Sequence, residues 1–229
     1  MKKWITKHGI EVTRLDGFRC FCYVIETESE KWLIDTSTLS DKKRIQKQME
    51  KGCIDTLNGI ILTHAHISHV EAASFYSEKF QCPIYIHDSE LHFVQTGDCL
   101  LPKAVNPAIG FVESIVSFIP FMNKYPACRD AQPIPFDEPL IWNEYIRFIE
   151  TPGHSEGGIS IVIDGEVAIV GDIMRKYGKG RVKLAWANQP GLVSVSWKKL
   201  WKTGCKQFLP SHGGEIERTL LEKAIEGKK

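Results

Sequence analysis

The 229-residue chain lacks the features that mark several large classes of protein. No apolar run is long enough to span a bilayer, and the basic segment 1–8 lacks the apolar stretch of a signal peptide. The 29 Lys and Arg residues nearly balance the 28 Asp and Glu residues, so the net charge of +1 gives no indication of nucleic-acid or membrane binding. We therefore expect a soluble globular protein that folds as a single domain over residues 1–229.

The cysteines do not form a pattern typical of a disulfide framework or a redox motif. There are seven of them, an odd number, and none belongs to a CxxC pair. We expect reduced, mostly structural thiols in a cytoplasmic protein. The seven are Cys20, Cys22, Cys53, Cys82, Cys99, Cys128 and Cys205.

Apolar runs and turn residues predict strands and helices in two halves of similar organisation. In the first half we predict strands over 9–16, 18–26, 31–35, 59–62 and 83–87, with helices over 40–51, capped by Ser40, and 70–80. In the second half we predict strands over 145–150, 159–163, 166–170 and 206–209, with helices over 196–202 and 215–225. Asp164-Gly165 is a favoured two-residue turn between two of these strands.

The central segment 88–140 does not follow this organisation. It contains seven prolines, which predicts loops around one helix at 111–119. Two interpretations of that helix remain open: it packs in the core, or it forms a lid over an active site. A helix on a membrane surface is less favoured because its polar residues are not basic.

Three histidines follow the predicted buried strand 59–62 directly. His64, His66 and His69 have the spacing i, i+2 and i+5. Histidines crowded at the end of a strand, rather than spread along a helix face, indicate a metal site built on a loop.

Four other short segments also stand at the ends of predicted strands. They are Asp35-Thr36, Thr151-Pro152-Gly153-His154, Gly171-Asp172 and Pro210-Ser211-His212-Gly213. With the histidine segment, and in this order, they resemble the motifs of the metallo-β-lactamase superfamily. Two positions depart from the family pattern: Ser68 replaces the aspartate of HxHxDH, and Ser37 replaces the glycine of DTG.

The resemblance covers nearly the whole chain except the central segment, and it implies both a fold and a metal site. The implied fold class is α/β, a four-layer α/β/β/α metallo-β-lactamase sandwich of two similar halves with a central insertion over about 88–140. The implied first metal site is His64, His66 and His154, and the second is His69, His212 and Ser68, with Asp172 bridging both. The implied cofactor is zinc, one or two ions per chain, with iron or manganese as alternatives.

The resemblance implies a hydrolase of an ester, thioester, lactone or phosphodiester, in which metal-bound hydroxide attacks the substrate. Asp172 and Ser68 occupy the positions of catalytic side chains. The zinc β-lactamases commonly have cysteine at the position of Asp172, which argues against that activity. The expected partner is a small-molecule substrate, with no nucleic acid or membrane.

Ser68 weakens the second implied site because serine is neutral and a poor zinc ligand. We expect second-metal affinity to fall by at least about 10–100-fold. Glu71 either supplies a replacement carboxylate or faces solvent. A one-metal hydrolase, a two-metal hydrolase with a degraded second site and a metal-binding module without turnover therefore all remain open. So does a mononuclear-iron enzyme similar to the persulfide dioxygenases, which would use His64, His154 and Asp172.

A basic segment, 175–183, follows Asp172 closely. It contains five basic residues and two glycines, which predicts a flexible cationic loop beside the metal site. Two interpretations are open: Arg175, Lys179 and Arg181 clamp an anionic substrate, or the loop is a solvated surface.

Overall fold

The computed structural model describes residues 1–100, 103, 124–136, 144–178, 180–184 and 186–227. Two compact units can be distinguished, Met1–Leu100 with Lys124–Asn143 and Leu101–Asn123 with Glu144–Lys229. Each unit contains a β-sheet, helices and its own apolar core, which confirms the predicted α/β class. The predicted helix at 111–119 and Lys179 lie outside the described residues.

The first unit is built on a seven-stranded sheet whose strands follow one another in chain order. Strands β1 to β4 pair antiparallel, and β4 to β7 pair parallel. The strands are β1 (Lys2–Ile5), β2 (Glu11–Asp16), β3 (Phe21–Glu26), β4 (Lys31–Ile34), β5 (Gly59–Ile61), β6 (Ile84–Ile86) and β7 (Gln132–Pro133). The helices are α1 (Lys42–Lys51), α2 (Ile67–Val70), α3 (Ala73–Phe80) and α4 (Asp88–Thr96), and a 3-10 turn covers Leu39–Asp41.

Three predictions for the first unit were wrong in detail. Ser40 is not the N-cap of α1, because it lies inside the 3-10 turn and the helix begins after Asp41. The helix predicted over 70–80 begins later, at Ala73, as α3, and a separate short helix, α2, precedes it and contains His69. Helix α4 lies at the start of the range where we predicted loops around a later helix. The helix was missed because one of its core-facing positions is the polar Glu90.

The second unit has a five-stranded sheet in the order β14-β13-β10-β9-β8 and a separate two-stranded hairpin, β11-β12. The strands are β8 (Ile146–Glu150), β9 (Ile159–Ile163), β10 (Val167–Gly171), β11 (Arg175–Tyr177), β12 (Arg181–Lys183), β13 (Gln207–Pro210) and β14 (Ile216–Glu217). Helices α5 (Pro190–Lys202) and α6 (Arg218–Glu226) complete the unit. Asp164 and Gly165 both have positive φ, 57° and 64°, so the predicted hairpin turn is confirmed.

Three predictions for the second unit were also wrong in detail. Helix α5 begins at Pro190 rather than at residue 196, since proline is favoured in the first helical turn. A short strand, β14, occupies the start of the helix predicted over 215–225. The segment 175–183 is an antiparallel hairpin rather than a flexible loop, with Arg175 paired to Lys183.

Within the described ranges, no helix combines the length and apolar character that a membrane crossing requires. All seven cysteines lie in the described ranges, and none of them is joined to another by a disulfide.

Candidate functional site

The first unit brings Asp35 and the three histidines to one edge of its sheet. Asp35 follows β4 and the histidine segment follows β5, and these two strands are parallel neighbours. The carboxyl ends of parallel strands meet at the same sheet edge, where ligands commonly bind. The N–H of Asp35 donates to the carbonyl oxygen of Ile61 at 2.9 Å, which extends the strand pairing up to the site.

Local backbone geometry gathers the three imidazole rings. His66 is extended and immediately precedes α2, and the N–H of His69 donates to the His66 carbonyl oxygen at 2.9 Å. This single helical turn returns the chain, so the ring centroids of His64 lie 4.6 Å from His66 and 3.9 Å from His69. All three histidines are buried. The structure therefore converts the i, i+2, i+5 spacing into one cluster.

Asp35 orients two of these rings through a buried hydrogen-bond network. Its Oδ2 lies 2.8 Å from Nδ1 of His69, and its two oxygens accept from Thr63 Oγ1 at 2.8 and 3.0 Å. Thr63 Oγ1 also lies 3.0 Å from Nδ1 of His64. Because the threonine hydroxyl has one proton and donates it to Asp35, it accepts from His64 Nδ1–H.

The network assigns the same tautomer to both histidines. Both oxygens of Asp35 accept from Thr63, so the carboxylate acts as an acceptor toward His69 as well, and we assign the proton to Nδ1 of His69, as in His64. In both rings Nε2 is then the nitrogen that carries the lone pair, the form in which histidine binds metals. Asp35 was identified from the sequence only as a motif residue; its contact with Thr63 and His69 gives it this orienting role.

The loop after Asp35 is held in an unusual backbone conformation. Ser37, at the position of the family's glycine, has φ of 59°, which costs a residue with a side chain on the order of 1 kcal/mol. Its hydroxyl donates to Oδ2 of Asp41 at 2.7 Å, which offsets part of that cost. Burial opposes ionisation of Asp41, but hydrogen bonds from Phe18 N–H, the Ser37 hydroxyl and Arg19 N–H lower its pKa overall.

The second unit brings two predicted histidine ligands close to the carboxylate of a third predicted ligand, Asp172. Oδ2 of Asp172 lies 3.2 Å from Nε2 of His212 and 3.6 Å from Nε2 of His154. Asp172 and His212 follow β10 and β13, which are parallel neighbours, so both stand at the same sheet edge. A carboxylate between two imidazole nitrogens has the position expected of a ligand shared by two ions.

His154 is oriented by a residue that the sequence did not single out. Its Nδ1 lies 2.8 Å from the carbonyl oxygen of Trp186 and can only donate to it, which leaves Nε2 as the lone-pair nitrogen. The preceding Gly153 has φ of 139°, and a Cβ there would lie 2.9 Å from Val193. Glycine is therefore required at this position to bring the His154 loop against α5.

Ser68 and Glu71 offer little to replace the missing aspartate. Ser68 is partly exposed on α2, and its carbonyl oxygen accepts from Cys20 Sγ at 2.8 Å, which fixes its backbone. Oε2 of Glu71 accepts from the N–H of Leu39 at 3.1 Å. This contact directs the Glu71 carboxylate to the 3-10 turn and favours a structural role over that of a replacement ligand.

The cationic hairpin lies directly beside His212. A Cβ on Gly213 would come within 2.8 Å of the Lys176 carbonyl oxygen, so β11 packs against the residue that follows the histidine. Arg175 and Arg181 are both exposed, but only Arg181 faces a recess of about 410 Å³. The described lining of this recess is Tyr177, Gly178, Arg181 and Lys183.

Comparison with known proteins gives consistent similarities. The family model described as the metallo-β-lactamase superfamily matches residues 15–210. A probable metallo-hydrolase of Methanocaldococcus jannaschii, MJ0888, is 30% identical over 149 residues, which are 65% of this chain and 65% of that protein, slightly less than two thirds of its length. A probable metallo-hydrolase of Bacillus subtilis, YqgX, is 30% identical over 171 residues, 73% of each chain.

Two solved structures share the fold. A metallo-β-lactamase superfamily protein from Sulfolobus tokodaii, ST1585, has a TM-score of 0.67 at 17% identity and covers 94% of this chain and 85% of its own. The structure of TTHA1623 in a di-iron-bound form has a TM-score of 0.67 at 21% identity and covers 93% of this chain and 97% of its own. These likenesses confirm the predicted fold class.

Proposed function

The chain belongs to the metallo-β-lactamase superfamily, and from this we propose that it is a zinc-dependent hydrolase of an ester, thioester, lactone or phosphodiester. The observation that carries the proposal is the set of Nδ1 contacts of His64, His69 and His154, which leave Nε2 of each ring to face an ion. Neutral imidazoles and a carboxylate are the donor set that zinc prefers. Iron or manganese remain alternatives, because imidazole and carboxylate also bind them.

We propose that His64, His66 and His154 hold the principal ion, and that His69 and His212 hold a second, weaker one. Asp172 contributes to both, in keeping with its position between His154 and His212. A bound ion of this kind activates water as a nucleophile at neutral pH and stabilises charge on the attacked group. Asp35, Thr63 and Trp186 hold the imidazole rings and their protons in the state needed for binding.

We further propose that the substrate is anionic. Arg181 and Lys183 line one recess on the hairpin beside His212, and guanidinium and ammonium groups bind carboxylate or phosphate. Arg175 stacks over Tyr177 at 5.2 Å and supports the wall of this recess. Lys179, which stands between Gly178 and Gly180 in the sequence, is included in the proposed clamp on that sequence position alone.

A second candidate, a metal-binding module without turnover, is favoured by Ser68. The serine removes a carboxylate from the second site, and Glu71 is engaged with Leu39 instead. A reducing compartment such as the cytoplasm is part of either proposal, since all seven cysteines are free thiols.

The experiment is a screen of chelator-treated protein, with and without added Zn²⁺, against paired anionic and neutral esters, thioesters, lactones and phosphodiesters. The hydrolase proposal predicts activity that requires Zn²⁺ and is abolished in His154→Ala but kept in His92→Ala, which changes an exposed histidine of α4. Replacing Arg175, Lys179 and Arg181 by alanine should raise KM for anionic substrates and spare neutral ones. Zinc binding without turnover of any substrate would favour the module, and an equal effect on both substrate types would contradict the anion clamp.

A further inference from the structure

Helix α4 places a buried carboxyl group directly behind the first two proposed metal ligands. Glu90 is 1% exposed, and its Oε2 accepts from the N–H of Ala65 at 2.6 Å. Ala65 stands between His64 and His66 and is itself fully buried. None of the sequence motifs contains Glu90, which lies in the segment that we expected to form loops.

The segment that carries the histidines lies beyond the end of β5, so its backbone is fixed by side chains instead of by a neighbouring strand. The N–H of Thr63 donates to Asp35 Oδ1 at 2.8 Å, and the N–H of Ala65 donates to Glu90. A buried N–H needs a partner, and each of these two is satisfied by a carboxylate. Two buried acids therefore hold alternate residues of one short stretch of chain.

This spacing fixes the direction of the histidine side chains. The ring centroids of His64 and His66 lie 4.6 Å apart, so these two side chains project together, as alternate residues of an extended segment do. Holding the Ala65 N–H limits rotation of the peptide plane between the two ligands. The geometry required for two imidazoles to bind one ion then exists before the ion arrives.

Helix α4 is a rigid support for this contact. His87 Nδ1 accepts from the N–H of Ser89 at 3.2 Å and caps the start of the helix. Near its end, the carbonyl oxygen of Val94 accepts from Cys128 N–H at 2.9 Å, and Gln95 Nε2 donates to Ala131 O at 3.0 Å. Contacts at both ends of α4 therefore hold the helix from which Glu90 projects.

We propose that Glu90 is a positioning residue that holds the His64–His66 peptide in its metal-binding geometry and so sets the affinity of the principal ion. This role rests on the proposed metal site, and it extends that site to a helix outside the recognised motifs. Partners of this kind, which orient ligands without touching the ion, typically contribute 10–100-fold in metal affinity.

The experiment compares Glu90→Gln and Glu90→Ala with Asp88→Asn, a control that removes an exposed acid from the same helix. Glutamine keeps a carbonyl oxygen that can accept from Ala65 N–H but replaces the carboxyl group by an amide, whereas alanine removes the acceptor. Zn²⁺ affinity is measured by competition with a chromophoric chelator, and the ligand geometry by the visible spectrum of the Co²⁺ form. Thermal unfolding of the metal-free proteins reports folding separately.

We expect Glu90→Ala to weaken Zn²⁺ binding by about 10–100-fold, Glu90→Gln to weaken it less, and both to change the Co²⁺ spectrum. If Glu90→Ala fails to fold, the Glu90→Gln protein decides the matter, and its Zn²⁺-induced rise in Tm should be smaller than that of the control. Wild-type affinity and an unchanged Co²⁺ spectrum in a folded Glu90→Ala protein, or in Glu90→Gln where Glu90→Ala does not fold, would overturn the positioning role and leave the proposed function intact. Absence of Zn²⁺ binding by the wild-type protein would overturn both.

Discussion

Replacing Asp35 by asparagine should disable His69 as a ligand while leaving the shape of the site nearly unchanged. Oδ1 of Asp35 accepts from Thr63 N–H, and Oδ2 accepts from Nδ1 of His69, so both oxygens are needed as acceptors. An asparagine has one oxygen and one NH₂ group. If its oxygen faces Thr63 N–H, its NH₂ group faces His69 Nδ1 and favours the tautomer with the proton on Nε2.

The expected loss follows from these contacts. A histidine protonated at Nε2 cannot bind the ion through that nitrogen, and forcing the other tautomer leaves a donor facing a donor in a buried site. Such a mismatch costs about 1–3 kcal/mol, which agrees with the 10–100-fold, or about 1.4–2.8 kcal/mol, typical of losing a partner that orients a ligand. We therefore expect second-ion affinity to fall by at least about tenfold, with a smaller effect on the ion held by His64.

Two measurements check this prediction. Zn²⁺ titration by calorimetry gives the two affinities, and long-range ¹H–¹⁵N NMR of the imidazoles gives the tautomer of His69 directly. Asp55→Asn is the matched control, since Asp55 is exposed in the same unit. Unchanged affinities together with His69 still protonated at Nδ1 would refute the orienting role of Asp35.

Substitutions at Ser68, Ser37 and Asp41 give three further predictions on metal binding and stability. Ser68→Asp should raise second-ion affinity by about tenfold or more in the same titration, and no increase would mean that the lost carboxylate is compensated elsewhere. Ser37→Ala should lower the free energy of unfolding by about 1–2 kcal/mol, because it keeps the strained left-handed backbone and loses the hydrogen bond to Asp41. Ser37→Gly should be nearly neutral, because relief of the backbone strain offsets the loss of that hydrogen bond. Equal losses of stability in the two variants would contradict this explanation. The folded-state pKa of Asp41 lies below its ordinary value of 3.8, so its stabilisation is present above that pH and is lost as the pH falls through the lowered value. Asp41→Asn should therefore lower stability at pH 7 and reduce the loss of stability in acid, and an unchanged acid dependence of unfolding would be contrary to this assignment.

The histidine cluster in the first unit could be predicted because local signals coincide there. An apolar run ends at Leu62, two residues before His64, and the structure confirms a buried strand, β5, just before the cluster. The Asp164-Gly165 turn was equally local, since its two positive φ angles favour those residue types. Both predictions depended only on neighbours in sequence.

The orienting contacts could not be predicted, because they join residues far apart in the chain. Asp35 reaches His69 across 34 residues, and Glu90 reaches Ala65 across 25. Each depends on strand order and on the direction in which a helix faces, neither of which a single segment encodes. Glutamate is rarely buried in proteins, so the residue type at position 90 predicted a solvent-facing side chain, whereas the structure buries it.

The shape of the cationic segment was missed for a different reason. Two glycines and five basic residues predicted flexibility, yet β11 and β12 pair in register. Packing of Lys176 against Gly213 and the bond from its Nζ to the Glu215 carbonyl oxygen at 3.3 Å hold the hairpin in place. Tertiary contacts here outweigh the local preference of the sequence.

Metal analysis of the purified chain shows whether His64 and His154 hold an ion. After equilibration with Zn²⁺ and removal of excess metal, elemental analysis should find at least one ion per wild-type chain, and His92→Ala should match it. His64→Ala and His154→Ala should each lose the tightly held ion. A wild-type chain that retains no transition metal, or variants that retain as much as the wild type, would contradict the proposed metal site.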